Sequence, residues 1–241
     1  RMDIYKLNKS YMEIEFCIDS VEGAIAAKQY GADRVELCTA LDVGGLTPNF
    51  GLIRQCVQQG IAVHVMIRYP AGGFNYTKKD ILIMLHDIKK AKYAGAVGVV
   101  FGCLTPQNNL DVESNIELIQ AAKKLELKVT FHRAFDFLDN PKSALSSLIN
   151  LGVDRVLTSG KHEKAIQGIE NIKELVKQAN GEIEIMAGSG VNSDNALVLS
   201  ETGIDALHFT IHHIDNETEP LGMGKRTVVN SGKIMSILNL F

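Results

Sequence analysis

Apolar and polar positions along the chain alternate between short strand-like runs and longer helical runs. Four segments share one order: the end of a helix, a glycine that suits the left-handed position closing it, and an apolar strand. These segments are residues 30–37, 94–101, 151–158 and 202–209. Four further apolar runs lie between them, at residues 13–18, 61–67, 127–132 and 182–187. The pattern therefore predicts eight strands that alternate with helices.

Polar residues that can cap a helix precede several of the helical runs. They are Ser20 for the first helix, Thr77 with Asp80 for the third, Asn140 with Pro141 for the fifth, and Asn192 or Ser193 for the seventh. Alternating strands and helices build right-handed βαβ units on a parallel sheet, and eight units in 241 residues favour an α/β fold, the (β/α)8 TIM barrel. An open doubly wound sheet is the alternative, but no glycine-rich fingerprint follows the first strand. We expect a single domain over residues 1–241, with an N-terminal extension at 1–12 and a variable tail at 211–241.

Side chains two apart share one side of a strand, and the apolar set must face the helices outside the barrel. The other set then points inward, and it is polar or contains sulfur in five strands. It comprises Glu13, Glu15 and Cys17; Arg34, Glu36 and Cys38; His64, Met66 and Arg68; Thr130 and His132; and His208 and Thr210. We expect these groups to concentrate toward the C-terminal ends of the strands, where barrel active sites are built. Because isolated buried charges are costly, they must pair with one another, as structural ion pairs, or bind a ligand.

Five of these ionisable groups could form a catalytic site for a small anionic, perhaps phosphorylated, metabolite. In this interpretation His132 is the acid or base, Glu36 or Glu15 is its carboxylate partner, and Arg68 with Arg133 clamps the anion. The parity of the fifth strand turns His132 toward the mouth of the barrel, so we expect it to contact the ligand directly.

Two stretches near the ends of strands carry further candidates. Asp136 lies three residues after Arg133, close enough to form a supporting ion pair with it. The glycine-rich stretch at residues 187–192 lets backbone N–H groups approach an anion at the place where barrels often bind phosphate. Its candidates are Gly188, Ser189 and Gly190, to which Ser159 in the stretch 155–160 is added. The alternative is that this loop is only a tight turn.

The cysteines suggest a metal. Cys17 and Cys38 end two neighbouring strands in the inward set, and two thiolates suit a soft ion such as Cu(I). Met66 and His64 could supply further ligands. The alternative is that each cysteine is a small buried apolar residue, which we expect of Cys56 on the second helix.

Composition limits the kinds of molecule that the protein is expected to bind. The chain is 46% hydrophobic and 22% charged, with a formal net charge of −3, which is ordinary for a globular protein and argues against general nucleic-acid binding. No apolar run approaches the length of a membrane span. The first residues show no signal-peptide pattern, so we expect a cytoplasmic protein with reduced thiols. The sequence assigns no role to Cys103, and it leaves the oligomeric state, including a homo-oligomer, open.

Seven motifs resemble the CutC family, in family order. They are EFCIDS at 15–20, GADRVELC at 31–38, GGLTP at 44–48, HVMIR at 64–68, TFHRAFD at 130–136, RVLTSG at 155–160 and MAGSGV at 186–191. The resemblance implies a cytoplasmic TIM-barrel protein named for copper homeostasis, with Cu(I) bound by cysteines that match Cys17 and Cys38. The chain differs from the family pattern at residues 69–74 and in the tail after His208. Two function classes therefore stand side by side: a Cu(I)-binding protein, and a barrel enzyme for a small anionic ligand.

Overall fold

A closed barrel of eight parallel strands forms the centre of the molecule. The computed structural model describes residues 11–218 and 225–241. The strands are β1 (Glu13–Ile18), β2 (Arg34–Leu37), β3 (Ala62–Met66), β4 (Gly98–Phe101), β5 (Lys128–Phe131), β6 (Arg155–Thr158), β7 (Glu184–Gly188) and β8 (Ala206–Thr210). They are hydrogen-bonded in sequence order, and β8 pairs with β1 to close the barrel. The predicted (β/α)8 fold is confirmed.

Helices follow the strands around the outside. They are α1 (Val21–Tyr30), α2 (Phe50–Val57), α3 (Lys78–Ala94), α4 (Val112–Lys124), α5 (Pro141–Asn150), α6 (Ile169–Ala179) and α7 (Ala196–Ser200). The predicted caps of α1, α3 and α5 are confirmed, since the side chains of Ser20, Thr77 and Asn140 each accept a hydrogen bond from a backbone N–H three residues on. The predicted start of the seventh helix is wrong. Asn192 opens a turn, closed by its N–H donating to Oδ1 of Asn195, and the helix begins only after that turn.

The apolar set of each strand forms the layer between barrel and helices. Val35, Leu37 and Phe131 are fully buried there, and α3 contributes Met84 and Ile88 to the same core. Burial of these side chains supplies the main driving force for folding. The inward direction of the alternate, polar set follows from this packing and agrees with the sequence pattern.

An ion-pair network fills the N-terminal end of the barrel interior. The guanidinium of Arg34 binds the carboxylates of Glu13 and Glu15, and that of Arg155 binds Glu184 at 2.5 Å. Part of the inward polar set is therefore structural and lies at the end of the barrel opposite the mouth. The reason is position within the strand, because Glu13, Arg34 and Arg155 each stand at a strand's first residue.

The tail, predicted only as a variable segment, adds a hairpin and a helix to the barrel. Strands β9 (His212–Thr218) and β10 (Lys225–Val229) pair antiparallel, and helix α8 (Ser231–Leu238) follows them. Ile234 and Ile237 of α8 are fully buried in the same core as the barrel helices. Within the described ranges, no helix combines the length and the apolar character that crossing a bilayer requires.

We predict that Arg34→Met destabilises the protein by about 3–5 kcal/mol at neutral pH, because it leaves Glu15 buried without one of its two cationic partners. Urea unfolding measures the change. Lys173→Met, which breaks an exposed pair with Glu170, is the matched control and should cost less than about 0.5 kcal/mol. Equal midpoints for the two variants would show that the internal network does not support the barrel.

Candidate functional site

A cavity of about 390 Å³ opens at the C-terminal mouth of the barrel. Six side chains carry its chemistry: Cys17, Glu36, Cys38, Met66, His132 and His208. They come from the ends of β1, β2, β3, β5 and β8, so the site is assembled by closure of the barrel. This is the location at which barrel enzymes place their active sites.

The two thiols meet at this mouth, as the sequence predicts. The sulfur atoms of Cys17 and Cys38 and a carboxylate oxygen of Glu36 all lie within 4.8 Å of one another. Cys38 Sγ donates to Oε2 of Glu36 at 3.5 Å, and Met66 packs against both cysteines. A Cβ at Gly45 would stand 3.0 Å from Cys38 Sγ, so glycine lets the following loop cover the thiols closely. The result is a buried group of soft ligands.

His208 lies between two carboxyl groups beside these thiols. Its Nδ1 donates to Oε1 of Glu15 at 2.8 Å, and its Nε2 lies 3.7 Å from Oε2 of Glu36. Glu15 is 0% exposed and its other oxygen accepts from Nε of Arg34. The prediction that Glu15 or Glu36 pairs with His132 is therefore wrong. Barrel closure places Glu15 opposite His208 in register, whereas β5 stands across the barrel.

Proton affinities within this group are strongly displaced from their ordinary values. The hydrogen bond from Cys38 lowers the pKa of Cys17, burial opposes it, and His208 lowers it further, to about 5. Burial raises the pKa of Glu36 to about 8. Burial would lower the pKa of His208, but Glu36, Cys17 and Glu15 together raise it well above its usual value. These shifts favour a thiolate on Cys17 beside a protonated His208.

His132 faces the cavity, as expected, but as a neutral hydrogen-bond donor. Its Nδ1 accepts from the backbone N–H of Ala134 at 3.3 Å, which leaves the proton on Nε2. Burial, and then the charge of Arg68, lowers the pKa of His132 to about 3. Nε2 has no hydrogen-bond partner among the described residues, and the ring packs on Phe74 with centroids 4.9 Å apart.

Arg133 and Asp136 form the predicted pair, with Nε donating to Oδ2 at 2.9 Å. The rest of the guanidinium donates to the hydroxyls of Ser189 and Ser159. Asp136 in turn accepts from Oγ1 of Thr158 at 2.5 Å and from the amide and hydroxyl of Ser159. Arg133 therefore ties the loops after β6 and β7 together, and it also lines the mouth cavity.

Both terminal nitrogens of Arg68 donate hydrogen bonds to backbone carbonyls. Its Nη1 donates to the carbonyls of Val43 and Gly45, and its Nη2 donates to the carbonyl of Gly72 at 2.7 Å. It borders a neighbouring surface cleft and does not line the mouth cavity. Its buried Nε has no hydrogen-bond partner among the described residues, and Arg133 lines the same cleft, so the clamp of Arg68 with Arg133 stays a prediction.

The glycine-rich loop contributes to the cavity wall in part. Ser189, Gly190 and Val191 line the cavity, whereas Gly188 is the last residue of β7. A Cβ at Gly188 would stand 2.6 Å from Leu157 Cδ1, so this glycine permits close packing inside the barrel. Ser159 is fully buried beneath the loop. An anion on the N–H groups of this loop stays a prediction.

One contributor to the mouth, Lys233, was not predicted from the sequence, and neither the partners of His208 nor the place of Cys103 was predicted. His208 belonged to the predicted inward set, but its pairing with Glu15 depends on the closure of the barrel. Lys233 of α8 also lines the cavity, and its Nζ donates to Oγ1 of Thr210 at 3.1 Å. No periodic pattern in the tail indicated this position. Cys103, like Cys56, is buried in the main core.

A closed parallel barrel with ionisable groups and thiols converging at its C-terminal mouth defines a TIM-barrel protein with a candidate site at that mouth. The CutC family model matches residues 12–213 of the chain. The chain belongs to the CutC family.

Relatives and solved structures agree with this membership. A family protein CutC from Glaesserella parasuis is 47% identical over 201 residues, covering 83% of this chain and 82% of the relative. One from Bacteroides fragilis is 43% identical over 224 residues, covering 90% and 88%. A crystal structure described as the copper homeostasis protein CutC from Streptococcus agalactiae is 36% identical, with a TM-score of 0.78 over 83% of this chain and 98% of that one.

We predict that Asp136→Ala destabilises the protein by about 3 kcal/mol, because it leaves several buried donors without their acceptor. Thermal or urea unfolding measures the loss. The control is Asp194→Ala, at an exposed position, which should change stability by less than about 0.5 kcal/mol. Unchanged stability in the Asp136 variant would mean that this carboxylate does not hold the loops.

Proposed function

We propose that the protein binds Cu(I) between Cys17 and Cys38 at the barrel mouth, as part of copper homeostasis in the cytoplasm. The observation that carries the proposal is the convergence of the two sulfurs with each other and with Met66. Two thiolates with a thioether nearby are the soft ligands that Cu(I) prefers. The Streptococcus agalactiae relative, described as a copper homeostasis protein, supports the same assignment.

The donors of the mouth fit Cu(I) better than Zn(II). Structural zinc takes four ligands, commonly cysteine and histidine. Here His208 already donates from Nδ1 to Glu15, and its raised pKa keeps a proton on each ring nitrogen, so it offers no free lone pair. The side chains of Cys17 and Cys38 are 4% and 1% exposed, which limits oxidation of the thiols by solvent species. Copper is the cargo in this proposal, and the thiols hold it.

We predict that the double variant Cys17→Ser, Cys38→Ser loses Cu(I) affinity by at least about 100-fold, since hard hydroxyls replace soft thiolates. Titration of the reduced protein against a competing Cu(I) chelator measures the affinity. The matched control is Cys56→Ala, Cys103→Ala, which removes the same number of thiols from the core and should keep full affinity. Equal affinities in the wild type and the Cys17, Cys38 variant would remove these cysteines from the site.

A second candidate function is an enzyme for a small anionic metabolite. It is favoured by His208, which lies between Glu15 and Glu36 beside Cys17, because copper storage alone requires no such acid–base group. The cavity is also far larger than one ion needs, since a water molecule occupies about 30 Å³. In this candidate His208 takes the acid–base role, Cys17 is the thiolate, and His132 donates a hydrogen bond to the substrate.

We predict that iodoacetamide alkylates Cys17 at a rate that stays level from about pH 6 to pH 8, because a group with a pKa of about 5 is already ionised there. An ordinary thiol, with a pKa near 8.5, would instead react about tenfold faster for each pH unit over that range. His208→Gln should raise the midpoint, since it removes the imidazolium. Mass spectrometry assigns the label to Cys17. A rate that rises steeply with pH in the wild type would contradict the thiolate–imidazolium pair.

A further inference from the structure

Lys233 reaches the barrel mouth from a helix that is firmly fixed. The side chain of Asn230 caps α8 by accepting from the backbone N–H of Lys233 itself at 2.9 Å. The N–H of Asn230 donates to the carbonyl of Ile211, directly after β8, and the next residue, Ile234, is fully buried in the core. The ammonium is therefore held over the end of β8 by the packing of its own helix.

The ammonium of Lys233 has no carboxylate partner among the described residues. Within the described part of the chain, the only hydrogen bond of Lys233 Nζ is to the hydroxyl of Thr210, and it forms no ion pair with a carboxylate. Burial lowers the pKa of the half-buried amine, and the charge of Cys17 opposes that effect. Arg133 also lines the cavity, but it forms an ion pair with Asp136. A cation facing a cavity without a carboxylate partner favours an anionic ligand.

A second polar side chain, that of His132, lines the cavity from the opposite side of the barrel. His132 follows β5, whereas Thr210 and Lys233 lie beside β8 and β1, on the opposite side of the closed sheet. Nε2 of His132 is buried and has no partner in the residues that the structure describes. A buried donor that is left unpaired is costly, so a ligand acceptor at this point would remove the cost.

We propose that the mouth cavity is a binding site for a small organic anion, whose charged group binds Lys233 and whose second polar end accepts a hydrogen bond from Nε2 of His132. The cavity lining also includes the apolar residues Phe74 and Leu157, which suit a short carbon chain. A volume of about 390 Å³ falls within the range of small-molecule sites. Carboxylates and phosphate monoesters share the required chemistry.

This anion site deepens the second candidate function and rests on it, and it does not depend on copper binding. Lys233 lies outside residues 12–213, the part matched by the family model. The tail of this chain therefore contributes a specificity-determining residue to a site whose other groups come from the family barrel.

The test uses two alkylating reagents of nearly the same size on the copper-free, reduced protein. Iodoacetate is an anion and iodoacetamide is its neutral amide, and both must enter the cavity to reach Cys17. The ratio of their rates isolates the effect of Lys233 on an anion, because any change in the reactivity of the thiol affects both reagents. We expect Lys233→Met to lower the iodoacetate-to-iodoacetamide ratio by about tenfold or more, and Lys233→Arg to retain it.

Lys90→Met is the matched control: it removes one exposed cation from α3, on the outside of the barrel, and should leave the ratio unchanged. An equal ratio in wild type and Lys233→Met would overturn the proposal. If neither reagent labels the thiols, calorimetric titration of the same proteins with pyruvate, pyruvamide and inorganic phosphate decides. Binding of pyruvate or phosphate that is lost in Lys233→Met supports the site and distinguishes carboxylate from phosphate.

Absence of binding by all three probes, or equal binding of pyruvate and its amide, overturns the proposed anion site. Cu(I) affinity is measured on the same variants. We expect Lys233→Met to retain it, so a failure of the anion site is distinguished from a failure of the copper proposal.

Discussion

Glu15 links the two ends of the barrel interior. One of its oxygens accepts from Arg34 in the ion-pair network at the N-terminal end, and the other accepts from His208 at the C-terminal mouth. The side chain is fully buried, so its charge exists only because both cations are in place. Burial raises its pKa, but Arg34 and His208 outweigh burial and hold the pKa below its usual range. The structural network thereby fixes the orientation and charge of the histidine on which the mouth depends.

The chemistry of the mouth follows from this arrangement. An imidazolium held by Glu15 lowers the pKa of Cys17, whereas burial, which the imidazolium opposes, raises the pKa of Glu36. The same group of side chains thus supplies soft sulfur ligands and an acid–base pair. The two candidate functions use different parts of it: copper needs the sulfurs, whereas an organic anion needs the cavity above them, between Lys233 and His132.

Much of the fold, and the side of each strand that faces the interior, could be predicted because alternation and helix caps are local signals. The approach of Cys17 to Cys38 followed from two consecutive strands. The pairing of Glu15 with His208 could not be predicted in the same way, because it joins the first strand to the last and depends on the stagger with which the barrel closes.

The hydrogen-bond partners of the two arginines could not be predicted from the sequence either. Arg68 and Arg133 stand at the expected strand ends, but the loops around them supply carbonyls and hydroxyls that accept several of their hydrogen bonds. Loop conformation is not encoded in hydrophobic periodicity. Lys233 was missed for a related reason, since its position depends on how α8 packs through Ile234 and Ile237.

The measurement that tests the central claim most directly is X-ray absorption at the copper edge of the reduced, Cu(I)-loaded protein. We predict that Cu(I) is bound by two sulfur atoms, from Cys17 and Cys38, or by three if the thioether of Met66 also binds. The signal should disappear in the variant that lacks both thiols. Coordination dominated by nitrogen or oxygen, as from His208 and Glu36, would contradict the assignment of the thiol pair as the copper site.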